Sequence, residues 1–242
     1  MNFRKIFIFS FILLLSCQRI EKKDWKRKIY AFSILNPKDS LIKVFVDSSY
    51  SIEKKSEGYG IEGAKVFIVN EDIKETLFLD YFKYEKNGHY QKWAPSFVKP
   101  LNTYSLFVIF ENDTLTKKAK VPDTFSIIFP KNGDTLYYDS LTYFHWHKSK
   151  GAFAYAIFLF KLPIDTLQEY FPLITKDTFL DIKEIKGSLF DTTALYSLKV
   201  YAWDSNRYQW AIKRGEIDTL YQGFGHFSSQ TEDEKNFYVI KN

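Results

Sequence analysis

The amino-acid sequence predicts an all-β chain, two β-sandwich domains in tandem after a signal peptide and a flexible tether. Three observations carry that reading. Runs such as Leu41-Ile42-Lys43-Val44-Phe45-Val46, Ala64-Lys65-Val66-Phe67-Ile68-Val69 and Tyr104-Ser105-Leu106-Phe107-Val108-Ile109-Phe110 are short, β-branched and aromatic, and bounded by Gly, Pro, Asn or Asp. No long segment between them keeps a clean 3.6-residue apolar period. Aromatic residues make up 19% of the chain, which suits pleated surfaces packed face to face.

The elements follow in chain order. Arg4 and Lys5 form a short basic region, and residues 6–15 are apolar apart from Ser10. This is the pattern of a signal peptide, and the apolar stretch is too short to cross a bilayer, which takes about 20 residues as a helix. It ends in Leu14-Leu15-Ser16-Cys17, which resembles the lipobox of bacterial lipoproteins. The resemblance implies cleavage after residue 16 and a lipid on Cys17 as the new N-terminus. Cys17 is also the single cysteine of the 242 residues, so the mature chain has no thiol for a disulfide, a zinc-thiolate site or a nucleophile.

Residues 17–28 are charged and poor in apolar side chains, and cannot bury enough surface to offset chain entropy, so they read as the tether. Gln18 follows the lipidated position. In many Gram-negative lipoproteins an aspartate there retains the protein at the inner membrane, so the resemblance implies outer-membrane residence, facing the periplasm or the cell surface. Formal charge falls from +5 to +3 once Arg4 and Lys5 are removed, and the remaining lysines are dispersed. Nucleic-acid binding is not indicated.

A domain boundary is expected at Val121-Pro122-Asp123, where a proline interrupts the strand ladder and the turn residues Pro130-Lys131-Asn132-Gly133-Asp134 open the next unit. This gives domains of residues 29–122 and 123–242, each with about seven short strands. In the first, Gly63-Ala64-Lys65-Val66, Gly88-His89-Tyr90 and Tyr104-Ser105-Leu106 resemble the succession of carboxypeptidase-regulatory-like and transthyretin-like modules, an immunoglobulin-like sandwich, although Asn102-Thr103 stands where a glycine is usual. In the second, Phe144-His145-Trp146, Tyr155-Ala156-Ile157-Phe158-Leu159 and Tyr196-Ser197-Leu198-Lys199-Val200-Tyr201-Ala202-Trp203 resemble a fibronectin type III domain. That resemblance implies a core of Phe144, Trp146, Tyr155, Ile157, Leu159, Tyr196, Leu198, Val200 and Ala202.

Successive strand side chains point to opposite faces. Phe158, Phe160, Tyr201 and Trp203 therefore fall together on the outer face of two neighbouring strands, a candidate partner-binding patch unless residues 162–173 fold over it. Candidate chemistry is sparse. His145 and His147 share a strand face at a spacing two metal ligands can use, but no third ligand is evident. Asp204-Ser205-Asn206-Arg207 reads as a turn between strands. Gly223-Phe224-Gly225 reads as a bend before a last strand at residues 236–240. No phosphate loop, nucleophile elbow or zinc-protease motif occurs. The chain is therefore expected to be no enzyme and to carry no cofactor beyond the lipid on Cys17. It is read as a lipoprotein that contacts the membrane through its anchor and binds or scaffolds another envelope protein. Two alternatives stay open: a glycan-binding module using Trp93, Trp203, Tyr208 or Trp210 as stacking platforms, and a hydrolase built on a pair of carboxylates.

Overall fold

The computed structural model describes residues 28–49, 60–163, 173–183, 186–213, 219–220 and 223–241. The signal peptide, Cys17 and all of the tether but Lys28 lie outside the described residues, as do positions 164–172 of the 162–173 segment.

The chain is all-β and its sheets pack as sandwiches. The first half forms β1 (Ile29–Leu35), β2 (Leu41–Ser48), β3 (Lys65–Asn70), β4 (Glu75–Tyr84), β5 (Asn87–Trp93), β6 (Thr103–Phe110) and β7 (Asp113–Lys120). Strict alternation decides which face is buried: in β1, residues 29, 31, 33 and 35 are buried while 30, 32 and 34 are half-exposed. Two strands change partner along their length. β2 pairs β1 over residues 45–48 and β5 over 41–44, and β4 pairs β3 over 75–79 and β5 over 80–84. These switches close the ribbon of strands around a core of Val44, Val46, Val66, Ile68, Leu106 and Val108. The tyrosine hydroxyls in that core are satisfied. Tyr90 donates to the Ile61 carbonyl and accepts from the Ala64 amide, both at 2.8 Å, and Tyr104 donates to the Phe97 carbonyl at 2.9 Å.

The second half forms β8 (Ile127–Phe129), β9 (Thr135–Tyr137), β10 (Tyr143–Trp146), β11 (Ala154–Leu162), β12 (Leu173–Thr175), β13 (Phe179–Asp181), α1 (Lys186–Leu189), β14 (Ala194–Trp203), α2 (Ser205–Ile212), β15 (Thr219–Leu220) and β16 (Gly223–Ile240). β13, β10 and β8 form one small sheet facing the layer β12-β11-β14-β16. Phe144, Trp146, Tyr155, Ile157, Tyr196, Leu198, Val200 and Ala202 are buried between them, with Leu159 packed at the margin, so the expected core is the observed one.

Three expectations are corrected. The glycine bend and short last strand are instead one strand of 18 residues, β16. Asp204-Ser205-Asn206-Arg207 is the N-cap and first turn of α2, not a turn between strands. The domain limits are not sequential either. Residues 224–229 of β16 pair in parallel with β1, whereas 230–239 pair antiparallel with β14, so the C-terminal strand belongs to both sandwiches. Phe227 accordingly packs in the first core and Phe237 in the second. Gly225 makes the parallel pairing possible: it sits at φ +137°, and a Cβ there would collide with the Ala31 backbone.

Candidate functional site

The second sandwich presents an aromatic face where β11 and β14 run side by side. Ala156 pairs Tyr201 and Phe158 pairs Lys199, so Phe158 and Tyr201 are diagonal neighbours on one surface. Their rings meet edge to face at 5.6 Å, and Phe158 and Phe160 lie parallel at 6.0 Å. All three are half-buried. Ile174 extends the face across β12, opposite Ala156, and is 39% exposed.

Along its β16 side the patch has an ionic rim. Lys199 Nζ stands 5.2 Å from the Tyr201 ring and reaches Glu232 at 3.2 Å and Glu234 at 3.8 Å, while Ser197 donates to Glu234 at 2.6 Å. Burial pushes the Tyr201 hydroxyl above its ordinary pKa. An apolar centre with a charged margin is the anatomy of a contact surface.

Trp203 does not share that exposure, which corrects the four-residue patch. It is 3% exposed because α2 turns back over the end of β14. The Arg207 guanidinium lies between two indoles, 5.4 Å from the Trp203 ring and 4.8 Å from Trp210. Trp210 stacks on His226 at 5.1 Å, and His226 meets Phe32 of β1 at 5.6 Å. Sequence reasoning missed this column, although Asp204 was a visible N-cap signal ahead of eight residues free of Gly and Pro.

The start of α2 ties the sandwiches together. Asp204 Oδ1 accepts the Arg207 amide at 2.8 Å, and Oδ2 accepts the Ser229 amide at 2.9 Å. Asn206 donates to the carbonyls of Lys118 on β7 and Phe227 on β16, at 2.8 and 3.0 Å. Burial lifts the Asp204 carboxyl to about 6. Burial, with Arg207 and Lys117 nearby, lowers His226 to about 3. The cleft beside this junction, about 440 Å³, is lined by Thr103, Lys118, Ala119, Lys120, Gly151, Ala152, Phe153, Asp204, Ser205 and Asn206. A carboxylate hydrolase needs two acids converging, and this cleft holds one.

The remaining candidates are dispersed. His145 and His147 both lie near β10, half-buried and exposed respectively, and His147 Nδ1 bonds Ser126 Oγ at 2.8 Å. Among the described residues no group of three or more His, Cys, Asp or Glu could hold a metal. Of the proposed glycan platforms, Trp203 and Trp210 clamp Arg207, Tyr208 packs on Phe153 at 4.9 Å, and Trp93 stands 68% exposed on β5. The structure does not bring the four into one groove.

A second aromatic surface was not anticipated. On the outer face of the first sandwich, His89 lies 5.4 Å from both Phe45 and Phe82, and Phe67 lies 5.4 Å from Phe78 and 4.9 Å from Phe107. Alternation within β2 and β4 contained the signal, since Phe45, Phe78 and Phe82 occupy the positions opposite to Val44, Val46 and Leu79 in the core.

No protein-family model and no curated protein matches the sequence. Among solved structures the chain is similar to the FN1–FN3 domains of chicken CNTN1, at 9% identity and a TM-score of 0.26 over 88% of this chain and 64% of that one. It is also similar to titin domains A168–A170, at 10% identity and a TM-score of 0.21 over 89% and 66%. A tetra-tandem repeat from the extending region of a large adhesion protein gives 10% identity and a TM-score of 0.25 over 88% and 49%. The chain thus spans less than two thirds of the length of each of the three.

Proposed function

We propose that the chain is a lipid-anchored protein of the outer membrane that binds another envelope protein without catalysing a reaction, and that the contact is the outer face of β11 and β14. The observation that carries this is the half-buried set Phe158, Phe160 and Tyr201 beside the Lys199–Glu232–Glu234 rim. Three aromatics held rigidly by a sheet lose little conformational entropy on docking, which is how aromatic anchors come to dominate interface energies. Anchoring rests on the lipobox residues Leu14-Leu15-Ser16-Cys17. The glycan reading has weaker support, because two of its four rings are engaged with Arg207.

The test is a crosslinking pull-down from intact envelopes, comparing the native chain with a Phe158→Ser/Tyr201→Ser variant of matched thermal stability. One envelope protein captured by the native chain and reduced at least tenfold with the variant is the expected result. Equal capture by both would place the contact elsewhere. In parallel, mass analysis of the N-terminal peptide should find a lipid on Cys17, absent in Cys17→Ala.

A further inference from the structure

The tether's point of attachment selects one of the two aromatic surfaces of the first sandwich. Ile29, the first residue of β1, pairs Ser48 on β2, and Phe32 pairs Phe45. Phe45 therefore lies three residues, about 10 Å, from where the tether enters the fold. On β1 itself the outer face is covered, since Phe32 packs against Trp210 and His226. From β2 onward it is open: Phe45 is 47% and Phe82 44% exposed, with His89 between them. Asp80, one position along this face from Phe82, is paired with Lys92 at 2.7 Å, so its charge is offset. Exposed Lys43 flanks Phe45 on the same face of β2.

Length and charge of the tether identify the occupant. Twelve residues, 17–28, reach at most about 40 Å when extended, so a lipid on Cys17 holds this face within a domain's width of the bilayer. Those residues carry six basic side chains against Glu21 and Asp24, a net +4 that draws the same end of the fold toward anionic headgroups. Exposed aromatics flanked by lysine are the side chains that settle at a membrane interface.

We propose that the outer face of β2, β5 and β4, centred on Phe45, His89 and Phe82, rests on the anionic surface of the bilayer that holds the lipid anchor. This contact rests on the lipid-anchor reading. Phe67, Phe78 and Phe107 form a separate group, on β3, β6 and the part of β4 that pairs β3 rather than β5, so they are not part of it.

Cys17 is the sole cysteine and is blocked by lipid, so a cysteine introduced elsewhere labels uniquely. The lipidated full-length mature protein, carrying Lys43→Cys or Lys65→Cys with an environment-sensitive fluorophore, is placed in phosphatidylethanolamine–phosphatidylglycerol vesicles containing brominated lipid. The probe at position 43 is expected to be quenched at least threefold more than that at 65, and Phe45→Ser/Phe82→Ser to abolish the difference. Equal quenching at 43 and 65 overturns the proposal, and this comparison needs no variant of the aromatics. Protection at 43 that tracks protein concentration in lipid-free solution also overturns it, by assigning the face to a second copy. Unlipidated Cys17→Ser protein separates the two claims. If native N-terminal peptides carry no lipid yet position 43 is quenched, the anchor reading fails and the face stands. Lipid without quenching has the opposite meaning.

Discussion

His226 is fully buried between Trp210 and Phe32, and among the described residues neither ring nitrogen has a hydrogen-bond partner. An unmet polar atom in the interior carries a desolvation penalty of about 1–3 kcal/mol, so His226→Phe should stabilise the protein, by about 1 kcal/mol at pH 7.5 in denaturant titration. The pH dependence adds a second signature. Because the folded pKa of about 3 lies below the ordinary 6.5, the unfolded chain takes up the proton first, and stability is lost as pH falls through that window. The advantage of His226→Phe should therefore widen as pH falls from about 6.5 toward about 3. Asp204 acts in the opposite direction: its carboxyl, raised to about 6, binds a proton more readily in the folded state, and its contribution grows as pH falls from 6 toward 3.8. In the native chain the two slopes oppose one another, and the variant unmasks the Asp204 gain. At the same scale, Trp203→Ala should cost about 3–5 kcal/mol as a buried aromatic, whereas Phe158→Ser, on the half-buried face, should leave the fold intact.

Secondary elements differ in how far local sequence specifies them. The strands of both cores were legible because period-two alternation writes the buried face directly into the chain, as in residues 196, 198, 200 and 202 of β14. The patch residues Phe158, Phe160 and Tyr201 were legible for the same reason. Trp203 obeys that alternation too, but its burial comes from α2, whose residues Ser205–Ile212 show only weak amphipathic order. β16 illustrates a different limit. Nothing local distinguishes a strand serving one sheet from a strand serving two, because the pairing of residues 224–229 with β1 joins positions nearly two hundred residues apart. Two changes test that element. Phe227→Ala removes a fully buried ring from the first core and should cost about 3–5 kcal/mol. Gly225→Ala should break the approach to Ala31, seen as faster hydrogen exchange of the β1 amides.

At the scale of the whole molecule, the second sandwich is an excursion from the first. The chain builds β1 to β7, passes through the second core, and returns to complete the first sheet before finishing in the second. Ser229 and Thr231 of the shared strand reinforce the join by donating to the carbonyls of Lys120 and Asp123, both at 2.9 Å. The two sandwiches should consequently melt in a single calorimetric transition, and a chain ending after residue 222 should lose the first as well as the second. Such a join holds two surfaces in fixed relation: an aromatic face near the tether and another on β11 and β14. The binding of an envelope protein proposed for the latter face is tested by a photocrosslinking amino acid at position 158 in living cells, with position 143 on β10 as control. A single discrete adduct from 158, absent from 143 and lost when Tyr201→Ser is added, is the predicted result. Absence of any adduct from 158 in cells where the protein is folded and membrane-bound would contradict the account.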